Sequence, residues 1–164
     1  MTHSFDPAGE PLAFRHALGA FATGVCVVTT IGPDGPVGMT INSFASVSLD
    51  PPLVLWSALK SSGRYAAFAG AENFAINVLT ASQRDIAAGF SRPGDAFDGL
   101  DWTLSDNGLP LVDKALAAFE CRLHAQHEGG DHTILIGHVL RAHHGTGAPL
   151  VFQGGSFGGF STGD

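Results

Sequence analysis

A mainly β domain with short helices is what this chain predicts, and three observations carry the prediction. Segments that alternate apolar and polar residues over strand-like lengths outnumber those of helical period. Most are joined to their sequence neighbours by turn-forming residues, which favours a closed or partly closed antiparallel barrel over a doubly wound parallel sheet. No strand-to-helix junction carries the G-x-G-x-x-G turn of a dinucleotide-binding βαβ unit.

The elements follow in order. Residues 25–31 and 37–44 are strands, and Gly32-Pro33-Asp34-Gly35-Pro36 between them makes a hairpin the natural connection. From Met39 the alternation is regular: Thr40, Asn42, Ser46 and Ser48 take one parity, and Met39, Ile41, Val47 and Leu49 take the other. Successive strand side chains point to opposite faces, so this pattern predicts a buried apolar face and a lining of small uncharged hydrogen-bonding groups. Asp50-Pro51-Pro52 ends that segment, and residues 53–58 form a buried strand. Ser61 or Ser62 is placed to cap a short helix running through Arg64, Tyr65 and Phe68 to Gly70. Residues 74–79 form another strand, after which Ser82-Gln83-Arg84-Asp85 has the form of a capping box opening a helix toward Phe90. The Gly- and Asp-rich stretch 91–108 is a long connection. Residues 117–127 and 132–141 form a second hairpin, turning at Glu128-Gly129-Gly130-Asp131. With no helix to follow them, the glycines of residues 154–159 read as a flexible tail in preference to a phosphate cradle. All 164 residues are expected to form one domain, 1–164.

Composition narrows the function. Fifteen Asp and Glu against eight Lys and Arg give a net charge of −7, which argues against nucleic acid and anionic membranes as partners. The first residues lack the pattern of a signal peptide and no apolar run reaches membrane-spanning length, so a cytoplasmic protein is expected. Cys26 and Cys121 lie in strand-like apolar runs and read as small buried hydrophobes, not a bridge. His124 and His127 are three apart on a strand and face opposite ways, while His143-His144 falls near a Gly-rich turn. The histidines therefore read as solvated, and no metal site is expected.

The neutral row from Thr40 suits a ligand with polar edges and a flat apolar body. Lys60, Ser61, Ser62 and Arg64 form either an anion site at a helix N-terminus or a capped surface helix with two solvated cations.

At this point the stretch GMTINSFASVSLDPPLVLWS resembles the flavin-binding segment of the small flavin reductases that supply reduced flavin to two-component monooxygenases. FRHALGAFATGVCVVTT, ENFAINVLTASQRDIAAGFS, AFECRLHAQHEGGDHTILIGHV and PLVFQGGSFGGF resemble the same family in the same order, over residues 14–160. The resemblance implies an antiparallel FMN-binding split β-barrel that is a homodimer. It implies an NAD(P)H:flavin oxidoreductase that reduces FMN or FAD with NADH or NADPH and passes reduced flavin to a partner monooxygenase.

Residue by residue, the resemblance sets Thr40, Ile41, Asn42 and Ser43 along the isoalloxazine edge and ribityl chain, with Ser46 and Val47 just beyond. Lys60, Ser61, Ser62 and Arg64 match the region receiving the flavin phosphate. Phe90 matches a position near the cofactor, with plain core burial as the alternative. For the dinucleotide the resemblance points to Asp131 and His132 of the GDHT segment, His132 being the catalytic candidate; a strand histidine satisfied by a neighbour is the alternative. Phe157 stands where the family often has tyrosine, and phenylalanine stacks but offers no hydroxyl. Hydride passes between flavin and nicotinamide rings, so the protein positions and stabilises, and no general base is needed. A flavin carrier without turnover, or a flavin-dependent ferric reductase, would share the same pocket.

Overall fold

Antiparallel pairing runs through the structure, as the hairpin-forming turns require. The computed structural model describes residues 3–92 and 96–163. Its helices are α1 (Pro11–Gly19), α2 (Tyr65–Ala69) and α3 (Arg84–Phe90). Its strands are β1 (Thr23–Gly24), β2 (Cys26–Gly32), β3 (Gly35–Ile41), β4 (Ala45–Leu49), β5 (Pro52–Leu59), β6 (Asn73–Val78), β7 (Trp102–Leu104) and β8 (Pro110–Val112). β9 (Ala117–Gly129), β10 (His132–His144), β11 (Leu150–Gln153) and β12 (Ser156–Gly159) complete the set. Seven strands pair in the order β3-β2-β6-β9-β10-β5-β4. The sheet does not close on itself, because β3 and β4 remain edges although residues 42–44 connect them directly. This is the split barrel that the turn pattern and the resemblance imply. Among the described residues no helix is long and apolar enough to cross a membrane.

Two clusters fill the interior. Trp56 lies edge-on to Phe68 at 5.2 Å and to Phe74 at 5.9 Å, among Ile76, Leu135 and both cysteines. Burial pushes the Cys26 and Cys121 thiols up to about 12, so both are neutral at pH 7 and behave as the small hydrophobes expected. A Cβ on Gly137 would lie 2.7 Å from Phe74 Cζ and 2.8 Å from Cys121 Cβ, so only glycine lets this aromatic seat against β10. The second cluster packs α3 onto β2 through Val27, Leu79, Ala87, Phe90 and Phe97.

Among the buried polar side chains, Thr23 Oγ1 and Trp56 Nε1 find no partner within the described residues, whereas Asn77 and Glu120 are fully engaged. Asn77 donates to Val27 O at 3.0 Å and accepts from Val112 N at 3.0 Å, which pins β8 to the sheet. Glu120, fully buried on β9, accepts from Ser105 Oγ at 2.8 Å, Asn107 Nδ2 at 2.6 Å and His143 Nε2 at 2.7 Å. Burial pushes this carboxyl up, but the three hydrogen bonds outweigh it and hold the group below the usual carboxylate range.

The structure corrects several expectations. The alternation from Met39 to Leu49 is not one strand: β3 ends at Ile41, and Val47 is bypassed by a register shift between Ser46 and Ser48 on β4. Met39 and Ile41 are buried as expected, but Val47 is 46% and Leu49 96% exposed. The helix after Ser62 begins only at Tyr65 and has no side-chain cap; Ser62 Oγ instead accepts from Arg64 N at 3.3 Å. The capping box is Thr80 with Gln83, two residues earlier than the sequence pattern places it, because a short 3-10 turn precedes α3. The 91–108 connection contains β7, while its residues 93–95 lie outside the described residues. The C-terminal glycines form a turn between β11 and β12, with Gly154 and Gly155 at φ 56° and 84°, conformations glycine adopts readily. His143, expected in solvent, is a partner of buried Glu120.

Candidate functional site

The edge strand β3 pairs with β2 alone, so its other side presents backbone N–H and C=O groups that no strand covers. Beside it lies a cleft of about 320 Å³. Met39, Thr40, Ile41, Asn42 and Ser43 form one wall, and Ser57 and Leu59 of β5 face them. Ser62, Arg64, Phe90, Ser91 and His132 close the ends. Pleating explains the β5 contribution: Val54, Trp56 and Ala58 turn into the core, which leaves Ser57 and Leu59 on the cleft side. The sequence held this signal in the alternation itself, hidden because every residue from 53 to 56 is apolar.

Two further hollows extend the cleft. One, of about 160 Å³, adds Val25, Phe152 and Phe157 to Thr40, Ile41, Asn42 and Ser91. The other, of about 310 Å³, runs past Arg64 and Phe90 to Gly38 and Phe97. A Cβ on Gly38 would lie 2.4 Å from Phe90 Cε1, so this glycine sets how closely the Phe90 ring approaches β3.

Most hydroxyls in the cleft are already committed to building it. Thr40 Oγ1 and Ser91 Oγ both donate to Ala87 O, at 2.8 and 2.7 Å, and tie the end of α3 to β3. Ser43 Oγ donates to Ser57 O at 3.3 Å and accepts from Ser57 N at 3.0 Å, which clamps the β3–β4 turn to β5. Asn42 is exposed and makes no hydrogen bond with a described residue, so its amide and the β3 backbone edge are the neutral groups left for a ligand.

Charge is sparse. Arg64 donates to Phe90 O at 2.7 Å and to Arg92 O, carbonyls at the C-terminal end of α3. His132 Nδ1 lies 2.7 Å from Asp131 Oδ1, and this hydrogen bond holds the Asp131 carboxyl below its usual range.

The predicted residues therefore separate into two groups. Thr40, Ile41, Asn42, Ser43, Ser62, Arg64, Phe90 and His132 meet at the cleft, and Phe157 lines its adjoining hollow. Ser46, Val47, Ser61, Lys60 and Asp131 do not line it. Lys60 Nζ turns to Glu128 and to Gly130 O at 2.7 Å, and its backbone N–H donates to Asp131 O at 3.0 Å. Lys60 and Asp131 thus stand behind His132 and hold the tip of the β9–β10 hairpin. Met39, Ser57, Leu59 and Ser91 line the cleft beyond the residues singled out from the sequence.

A flavin fits this donor set. Its dioxo-pyrimidine edge matches an amide and a strand edge, and its apolar rings match walls made by Met39, Ile41, Leu59 and Phe90. Comparison with known proteins agrees. The chain is 60% identical over 160 residues to the FMN reductase (NADH) SmoA of Agrobacterium fabrum (strain C58), covering 97% of this chain and 92% of that one. It is 43% identical over 131 residues to the flavin-dependent monooxygenase reductase subunit HsaB of Mycobacterium tuberculosis (strain H37Rv), covering 79% and 70%. The structure of the Streptomyces globisporus C-1027 NADH:FAD oxidoreductase SgcE6 in complex with NAD and FAD fragments superposes with a TM-score of 0.92 at 40% identity, covering 98% of each chain. Residues 18–161 match the family model described as flavin reductase like domain, and the chain belongs to that family.

Proposed function

We propose that this chain is an NADH-dependent flavin reductase that reduces FMN by hydride transfer and supplies reduced flavin to a separate monooxygenase component. The observation that carries the proposal is the neutral cleft along the free edge of β3, with His132 at its rim. When bound, the flavin supplies the hydride-accepting ring and the reduced nicotinamide supplies the hydride. The chain's part is positioning. Asn42 and the β3 backbone edge donate to the polar rim of the ring, where negative charge grows during reduction, and fixed donors there need no reorganisation. Thr40 and Ser43 keep that edge rigid through their bonds to Ala87 and Ser57. Ser62 and Arg64 stand toward the flavin phosphate. Asp131 orients the His132 imidazole, which meets the dinucleotide, and Phe157 offers a stacking face.

One experiment tests both the activity and the role of His132. NADH oxidation followed at 340 nm should require added flavin. In rapid mixing, His132→Ala should retain its flavin dissociation constant while the efficiency of flavin reduction falls roughly 10- to 100-fold, the size of one lost positioning contact. A mutant that reduces flavin as wild type does at every NADH concentration would make His132 a structural strand histidine.

The proposal includes a homodimer. Leu12, Phe14 and Leu18 of α1, with Phe21 just after it and Val47 and Leu49 of β4, are exposed apolar side chains of the kind that a subunit interface covers. Sedimentation equilibrium should give twice the 16.9 kDa chain mass, and Leu49→Lys should shift it toward one chain. A wild type that sediments as a single chain would sink the dimer.

A further inference from the structure

With fifteen acidic side chains against eight basic ones, the molecule as a whole repels a phosphate-bearing ligand, so the cations beside the groove decide where such a ligand is held. Lys60 is turned to the hairpin tip, and Arg64 to the carbonyls ending α3. Arg84 is placed differently. It opens α3, is exposed, and its guanidinium carbon stands 5.7 Å from the centroid of the Phe157 ring. No carboxylate among the described residues pairs with it.

Its backbone is fixed. Gln83 Oε1 accepts from Thr80 N at 3.0 Å, and Gln83 Nε2 donates to Asp113 O at 2.8 Å, so the turn leading into Arg84 is braced from both sides. The ring beneath it is fixed too, because Phe157 packs on Phe152 with centroids 5.4 Å apart. Both phenylalanines wall the hollow that shares Thr40, Ile41 and Asn42 with the main cleft. A planar ring entering that hollow meets an aromatic wall, and the Arg84 guanidinium, outside the hollow's own lining, stands over the Phe157 ring of that wall. Guanidinium suits an anion attached to such a ring, since its planar fork binds phosphate oxygens in pairs while its face stays on an aromatic ring.

We propose that Arg84 is the anion contact for the pyrophosphate of the nicotinamide dinucleotide, held at the Phe157 end of the groove, and that it sets affinity for the dinucleotide and not for the flavin. This rests on the reductase reading above. The arrangement also gives Phe157 a purpose that needs no hydroxyl, because the polar contact comes from the arginine stacked on it.

The test uses the whole protein and the variants Arg84→Gln and Arg84→Lys. Calorimetric titration with ADP-ribose, which carries the pyrophosphate but no nicotinamide, should show about tenfold weaker binding for Arg84→Gln, the size of one charge-assisted contact, and a smaller loss for Arg84→Lys. The difference should shrink as salt is raised. FMN affinity should stay within twofold. With FMN bound, the Michaelis constant for NADH should rise about tenfold in Arg84→Gln, whereas the rate with benzyl dihydronicotinamide, a hydride donor without phosphate, should change less than twofold. Weaker FMN binding with unchanged ADP-ribose binding would assign the arginine to the flavin phosphate and overturn the proposal. No change in either titration would leave Arg84 a surface cation and also overturn it. A wild type that binds ADP-ribose in an Arg84-dependent way yet oxidises neither donor would sink the reductase reading while this site stands.

Discussion

Glu120→Ala is expected to lower folding stability by about 3 kcal/mol, because it strips the common acceptor from three donors while leaving those donors in place. Ser105 and Asn107 hold the turn after β7, and His143 ends β10, so the carboxylate joins three segments that are distant in sequence. The half-exposed His143 can rehydrate, which keeps the loss below that of a wholly interior pair. Urea denaturation followed by tryptophan fluorescence reads it directly; an unchanged midpoint would mean that water replaces the carboxylate without penalty. The pH dependence has a definite sign. This carboxyl is held below its unfolded-state value, so its contribution to stability is complete above the unfolded carboxyl value of about 4.3 and is lost as pH falls through the lower folded value. Glu120→Gln removes that titration and should flatten the acid limb of the stability curve.

Gly38→Val is expected to be comparably disruptive and to strike the site as well. The new side chain would drive into a Phe90 ring that is itself buried and packed edge-on to Phe97 at 4.9 Å, so the ring must give way into the hollows it lines or carry α3 with it. Overpacking of this kind costs about 1–3 kcal/mol. Displacing Phe90 also displaces a wall of the cleft, and flavin titration by fluorescence quenching should show at least tenfold weaker binding. Gly38→Ala should show the same two effects in smaller degree. Full stability with unchanged flavin affinity in both variants would mean that Phe90 moves freely and sets nothing.

How far the sequence could be read follows from which interactions are local. The β9–β10 hairpin was legible because Glu128 to Asp131 is a turn in its own right, with Gly130 at φ 72°. The β3 wall was legible because Met39, Thr40 and Ile41 alternate within one strand. The same alternation misled at Val47 and Leu49, since a break at residues 42–44 and a bulge reset which face they occupy, and neither event leaves a mark in hydropathy. Glu120 was invisible for a different reason. A charge in a strand reads as solvent-facing, and its three partners lie 13 to 23 residues further along or behind. Lys60 looked like a phosphate ligand beside two serines, yet its ammonium is taken by a hairpin tip some seventy residues later. The β11–β12 hairpin is hard to read because its two strands are only four residues long and one of them is half glycine.

The two 13-residue strands β9 and β10 have a consequence for how this chain can change over time. At about 3.3 Å per residue, the eleven steps from His132 to His143 set the hairpin's tip roughly 36 Å along the strand from its base. The base carries the buried Glu120 cluster, and the tip carries His132, the residue proposed to meet the hydride donor. Substitutions that far apart, sharing no partner, combine additively. Residues 128–132 can therefore drift toward another donor without loss of the stability held at Glu120, whereas Thr133, buried and bonded to Tyr65 at 2.7 Å, belongs to the sheet.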